Sequence, residues 1–208
     1  MNADGTGAVT LRRGLPPGTE RRAAELYWEA FGRKLGSALG PTDKAVPFLA
    51  AHLNPDRAVC ALRAGRLLGL VGYQHEGRAL TSGRARDVLR AYGTRSGLWR
   101  LALLALFTRT PKPGQLVMDG IAVEAAARGR GIGGLLLEEI ADLAAERGCR
   151  EVRLDVIDTN PRAQALYERH GFTAVRTEHT PYLRALMGFG AVTTMRRTLT
   201  RPRRSATR

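Results

Sequence analysis

Cysteine is almost absent: Cys60 and Cys149 stand far apart in 208 residues, with no C-x-x-C spacing. Neither a disulfide framework nor a cysteine-based zinc site is expected, and a reducing compartment is the natural home. Lysine is nearly as scarce. Lys34, Lys44 and Lys112 stand beside thirty arginines, a skew typical of GC-rich coding more than of selection for phosphate contacts. No apolar run is long enough to span a bilayer: the most apolar stretch, Leu98 to Phe107, contains Arg100 and covers ten residues. The opening residues Met1 to Gly7 hold no apolar segment, so no secretory leader is expected. These absences describe a soluble, cytoplasmic protein with no membrane partner. There is no internal repeat, and 24 glycines and 10 prolines without a Gly-X-Y period exclude a collagen-like chain.

What remains is an ordinary globular composition, 44% hydrophobic and 25% charged. A chain of this length forms one compact domain and buries roughly 70% of its unfolded surface. The formal charge is +14, and it favours anionic ligands such as nucleotide phosphates. One arginine cluster stands out at the C-terminus: Arg196, Arg197, Arg201, Arg203, Arg204 and Arg208. Without interleaved aromatics or a binding motif it reads as a solvated tail rather than a nucleic-acid arm. The expected organisation is a disordered segment over 1–8, a single domain over 9–199 and a basic tail over 200–208.

Ala8 to Arg12 reads as a short strand. Thr19 is a good N-cap for a helix whose Ala23, Leu26, Tyr27, Ala30 and Phe31 recur at helical spacing. A second helix covers Asp43 to Leu53. Arg57 to Arg63 and Arg66 to Glu76, joined by Ala64-Gly65, form a β-hairpin. Residues 77–114 break the rhythm as a helical insertion, with helices over Gly83 to Tyr92 and Leu98 to Phe107. Then come a strand over Gln115 to Val123, a helix over Ile132 to Arg147, a strand over Glu151 to Ile157 and a helix over Pro161 to His170. Phe172 to Glu178 and Ala191 to Leu199 are the last strands. This alternation places a parallel segment inside a mixed sheet of the α/β (α+β) class.

The chemical signal is Arg128-Gly129-Arg130-Gly131-Ile132-Gly133-Gly134, between a strand and a helix. Glycines there let backbone N–H groups and a helix N-terminus converge on a phosphate. Gly129, Gly131 and Gly134 also satisfy the dinucleotide pattern G-x-G-x-x-G, with Asp155 about 20 residues on as the ribose acid. Two facts oppose a dehydrogenase. Glu124 to Arg128 separate the strand from the first glycine, and 53 residues after Asp155 are too few for the further βαβ units of that fold.

Read as Arg128-x-x-Gly131-x-Gly133, the loop resembles the acetyl-CoA pyrophosphate motif of the GNAT superfamily of N-acetyltransferases. Met118-Asp119-Gly120-Ile121-Ala122-Val123 resembles that family's bulged fourth strand, and the run from Asn160 to Phe172 resembles its second signature. The resemblance is tight over about 115–175 and looser elsewhere. It implies a mostly antiparallel mixed sheet with helices on both faces and with the fourth and fifth strands splayed apart. It also implies acetyl-CoA as co-substrate, an amine as acceptor and no metal.

Carried over residue by residue, the resemblance has the backbone of Ile121, Ala122 and Val123 pairing with the pantetheine amides. Arg128, Gly129, Arg130, Gly131, Ile132, Gly133 and Gly134 would hold the pyrophosphate. Asn160 would bond near the thiol end, alongside a role as N-cap of its own helix. Acyl transfer to an ammonium near pKa 10 needs a base, oxyanion donors and an acid for the departing thiolate. The family analogy supplies the Val123 N–H as oxyanion donor and Tyr167 as acid. For the base, Asp119 shares strand parity with Ile121 and Val123, and Asp155 lies on the neighbouring strand, so that each raises the other's pKa. A water chain and His179 are alternatives, and His170 reads as structural. His52 and His75 have no partner visible in sequence.

By the same analogy the acceptor site is built from Tyr27, Trp28 and Phe31, the 77–114 insertion and the loop around Tyr182 and Phe189. The apolar face of the insertion, Leu98, Leu101, Leu104 and Phe107, lines a pocket, caps the acceptor, packs a homodimer or simply joins the core. An apolar, aromatic lid suits a small amine better than a peptide. A protein N-terminal or lysine acetyltransferase is the alternative. A silent acyl-CoA sensor and an Arg-tail nucleic-acid binder are the readings from other classes.

Overall fold

The computed structural model of the protein describes residues 7–105, 111–181 and 184–199. Most of the segment expected to be disordered, the basic tail, and the candidate acceptor residues Phe107 and Tyr182 lie outside the described residues. The chain runs β1 (Thr10–Arg13), α1 (Glu20–Leu39), α2 (Thr42–Ala51), β2 (Ala58–Arg63), β3 (Arg66–Gln74), α3 (Ala85–Tyr92), α4 (Thr94–Ala105) and β4 (Gln115–Val123). It continues with α5 (Ile132–Glu146), β5 (Glu151–Ile157), α6 (Pro161–Arg169), β6 (Thr173–His179), α7 (Arg184–Met187) and β7 (Ala191–Thr198).

The strands form one sheet in the order β1-β2-β3-β4-β5-β7-β6. All neighbours are antiparallel except β4 and β5. Strand alternation sends side chains to two faces, and each face has its own core. One holds Leu26, Tyr27, Leu39, Leu49 and Leu70 with the helices α1 and α2. The other holds Leu116, Leu136, Ile140, Leu154 and Phe172 with α5 and α6. Helix α5 earns its place by period: Ile132, Leu136, Leu137, Ile140 and Leu143 are buried on one side. Burying each such side chain stabilises by about 1.5–3 kcal/mol.

The expected strands and helices are present, with ends shifted by a few residues. The hairpin turn has Ala64 and Gly65 both at positive φ, 48° and 78°, the geometry a two-residue turn demands. Two local expectations need correction. Thr19 precedes α1, but its hydroxyl donates to the Pro16 carbonyl at 2.6 Å and caps nothing. Helix α4 starts at Thr94 rather than Leu98, because Gly97 continues the helix and lets Leu89 approach closely instead of breaking it. A Cβ there would stand 2.8 Å from Leu89 Cδ2. Among the described residues, no helix is long and apolar enough to cross a membrane.

Candidate active site

Strand β4 organises the site. Against β5 it pairs over Gln115, Leu116 and Val117 only, opposite Glu151, Val152 and Arg153. Beyond that point the two strands part. Among the described residues no strand pairs with the β5-facing edge of Ile121–Val123, so the parting leaves a slot between the two strands there.

Against β3 the same strand is irregular. The register passes from Gly72↔Gly120 to Tyr73↔Met118, which leaves Asp119 as the extra, bulged residue. The bulge overturns the parity expected for Asp119. Ile121 and Val123 pack on the α5-side core, with Ala122 on the α1 side. Asp119 instead faces α1, where its Oδ2 accepts from the Leu80 N–H at 3.3 Å. Buried Tyr27 lies beside it. Burial first, and the Asp119 charge second, push the Tyr27 phenol well above its usual range.

Asp155 also faces the α1 side, because Leu154 and Val156 on either side of it point into the α5-side core. Thr194 Oγ1 donates to Asp155 Oδ1 at 2.7 Å, and Arg153 Nη2 stands 3.3 Å away. It is thus tied into the sheet, whereas Asp119 lines a cavity.

The glycine loop divides its work. Gly129 and Gly131 have φ of 74° and 78°, and a Cβ on either would meet nothing within 4 Å. Gly131 is the left-handed N-cap of α5. These two shape an open backbone cradle at a helix start, a natural anion seat. Gly133 and Gly134 serve packing instead: a Cβ would stand 3.1 Å from Leu166 and 2.8 Å from the His170 ring. Ile132 is buried, so it offers the loop only its backbone. Arg130 is exposed. Arg128 Nε donates to the Val123 carbonyl at 2.9 Å, and its Nη2 donates to Glu29 Oε1 of α1 at 2.8 Å.

Asn160 caps α6, its Oδ1 accepting from Ala163 N–H at 3.2 Å, which leaves its amide N–H groups as donors. Two turns on, Tyr167 is buried in the α5-side core against Phe172, the ring centroids 5.9 Å apart. Burial pushes its phenol pKa above the ordinary tyrosine value. His170 is structural: its Nδ1 lies 2.8 Å from Glu138 Oε1, and Arg197 grips the same carboxylate with two bonds.

On the α1 face lies a cavity of about 690 Å³. Its apolar wall includes Tyr27, Phe31, Leu35, Phe48 and Leu104, and Asp119 is among its lining groups. The helical insertion therefore supplies wall through Leu104 and the 77–84 loop. Leu98 stands exposed and Leu101 packs against the core. Trp28 instead donates to Thr42 Oγ1. Sequence reasoning passed over Arg84, and it named His52 and Gly120 without assigning either a role in the site. His52 lines the cavity with Nδ1 2.7 Å from the Phe48 carbonyl and Nε2 3.7 Å from Asp87. Gly120 carries a readable signal, a glycine inside a strand, which marks a bulge or a close approach. Here Phe31 lies where its Cβ would be.

A mixed sheet parted between two parallel strands, with an open helix start beside the parting, is the fold that the resemblance to N-acetyltransferases implied. The sequence profile of the acetyltransferase (GNAT) family matches residues 21–172, and the chain belongs to that family. Over 62 residues it is 37% identical to a thialysine N-epsilon-acetyltransferase of Bos taurus, a match covering 30% of this chain and 36% of that protein. Over 82 residues it is 38% identical to the mycothiol acetyltransferase of Beutenbergia cavernae, covering 39% and 27%. The match thus spans about a third of the length of these relatives. Among solved structures, a GCN5-related N-acetyltransferase from Kribbella flavida superposes with a TM-score of 0.61 at 19% identity, over 92% of this chain and 98% of that one. The ribosomal-protein-S18-alanine N-acetyltransferase of Escherichia coli gives 0.57 at 16%, over 97% and 100%. At such identities the likeness is one of fold.

Proposed function

We propose that the protein moves the acetyl group of acetyl-CoA to the primary amine of a small molecule, by direct attack in a ternary complex. One observation carries this reading: β4 presents an edge that β5 leaves without a strand partner at Ile121–Val123, and the same strand places the bulged Asp119 in the lining of a pocket-sized cavity with an aromatic wall. The thioester of acetyl-CoA supplies the activated acyl group, and the residues present fit such a molecule. The unpaired edge of Ile121, Ala122 and Val123 accommodates the amides of an extended arm. The open cradle from Arg128 to Gly134 suits a pyrophosphate.

The two faces then divide the chemistry. On the α1 side Asp119 takes a proton from the incoming ammonium and orients the amine; Asp155, tied to Thr194 and Arg153, is the weaker candidate for base. The Val123 N–H stabilises the developing oxyanion. On the α5 side the Tyr167 phenol gives its proton to the departing thiolate, and the Asn160 amide donates nearby. A cavity of this size with an aromatic wall favours a small acceptor over a peptide segment.

The test is a thermal-shift titration with acetyl-CoA, using NADH and ATP as controls. A ligand at about a hundred times its Kd adds roughly 2.7 kcal/mol, about 5–11 °C for a domain of this size. A shift with acetyl-CoA alone, followed by amine-dependent thiol release, supports the proposal. No shift, or a larger one with NADH, overturns it. Cofactor binding without turnover of any amine leaves a sensor.

A further inference from the structure

The charges lining the acceptor cavity are unevenly placed. Asp119 is the only carboxylate among the described lining residues, and the Leu80 N–H sits on it at 3.3 Å. Three basic side chains line the same cavity: His52, Arg78 and Arg84. Two of them are engaged. His52 Nδ1 lies 2.7 Å from the Phe48 carbonyl, with its Nε2 towards Asp87, and Arg78 Nη2 lies 3.0 Å from Asp56 Oδ1. Arg84 differs. Its backbone N–H donates to Asp87 Oδ2 at 2.9 Å, while its guanidinium makes no ion pair among the described residues.

Chain length sets the distance. Leu80 touches Asp119, and four residues of chain reach at most about 14 Å, so the Arg84 backbone lies within that span of Leu80. Phe31, Leu35, Phe48 and Leu49 give the same cavity its apolar wall.

We propose that the acceptor is amphoteric: a primary amine at Asp119, a compact apolar body along the aromatic wall, and an anionic group on Arg84. A planar guanidinium takes carboxylate or phosphate oxygens in pairs, which makes Arg84 a specificity-determining residue. The inference rests on the reading of the cavity as the acceptor site of an amine acetyltransferase.

Three probes of one shape test it: phenethylamine, its para-carboxylate and its para-phosphate ester. Each is assayed for thiol release and, by calorimetry, for binding to the CoA-saturated protein. One or both anionic probes are expected to exceed the neutral amine by about tenfold or more in kcat/KM, chiefly through KM. Which anion leads identifies the group that Arg84 receives. R84Q is expected to bring that ratio to within about twofold, while R84K retains part of it. Because Arg84 holds the start of α3 through its backbone, the fold survives these changes.

Equal or better use of the neutral amine overturns the inference, as does a ratio that survives R84Q. So does a CoA-bound protein that neither binds nor turns over any probe. Failure of the underlying reading looks different: the same preparation then shows no thermal shift with acetyl-CoA.

Discussion

Two substitutions test the site at single residues. Tyr167 sits in the α5-side core, and burial keeps its phenol protonated well above neutrality. Tyr167→Phe keeps the packing against Phe172 and removes only the hydroxyl. If that hydroxyl is the proton donor, kcat falls by about a hundredfold or more, while KM for acetyl-CoA stays within a few-fold. Unchanged kcat would leave Tyr167 as a core residue alone. Gly120 makes the opposite kind of prediction. Its φ of 152° and the Phe31 ring, 2.2 Å from where a Cβ would stand, leave no room for alanine. Gly120→Ala is expected to displace Phe31 and cost about 1–3 kcal/mol of stability, read in a denaturant melt. It should also raise KM for the amine more than that for acetyl-CoA, because Phe31 lines the proposed acceptor cavity.

Elements communicate through a few arginine–glutamate contacts. Arg128 bridges the slot mouth, at the Val123 carbonyl, to Glu29 on α1. In the proposed complex that guanidinium turns to the pyrophosphate, so Glu29 competes with the ligand for it. Both partners are about half exposed, which places the contact among surface pairs worth about 0.2–1 kcal/mol. Glu29→Gln is therefore expected to tighten acetyl-CoA binding by about 1.5- to 5-fold in calorimetry. Weaker binding would contradict a competing role.

A second contact holds α5, α6 and β7 together. Arg197, above all, and then His170 hold the Glu138 carboxyl below its ordinary pKa of 4.5. A lowered pKa in the folded state means the contribution is full above that ordinary value and drains away as pH falls through the lowered one. Glu138 is half exposed, so the effect is screened to about 1 kcal/mol or less, a few degrees in the melting midpoint. Glu138→Gln is expected to melt below the wild type at pH 7, with the gap closing towards pH 3. A gap that persists at pH 3 would assign the loss to packing instead.

At the scale of the molecule, the formal charge of +14 favours the approach of anions. Acetyl-CoA binding is expected to weaken several-fold between 50 and 500 mM salt, as screening shortens the reach of that field. A flat response would confine recognition to neutral backbone donors in the glycine loop.

Much of this architecture could be read from residue order. Alternation in Gln115–Val123 and Glu151–Ile157 and the 3.6-residue stripe of α5 are local patterns that report which side is buried. The loop from Arg128 to Gly134 and the run from Asn160 to Phe172 are contiguous, so the motifs survive as strings. Asp119 was misplaced because alternation assumes an unbroken strand. Gly120 marks a bulge in β4, but which residue is left over depends on how β3 lies against β4. The cavity was hidden for a similar reason: Tyr27, Phe48, Arg84, Leu104 and Asp119 come from five separated segments. Local pattern is enough to assign elements and name a family, since both rest on short-range periodicity and contiguous backbone. Which carboxylate lines the cavity, and which arginine shares that lining, follows from long-range pairing of strands and helices, where burial is shared between residues far apart in the chain.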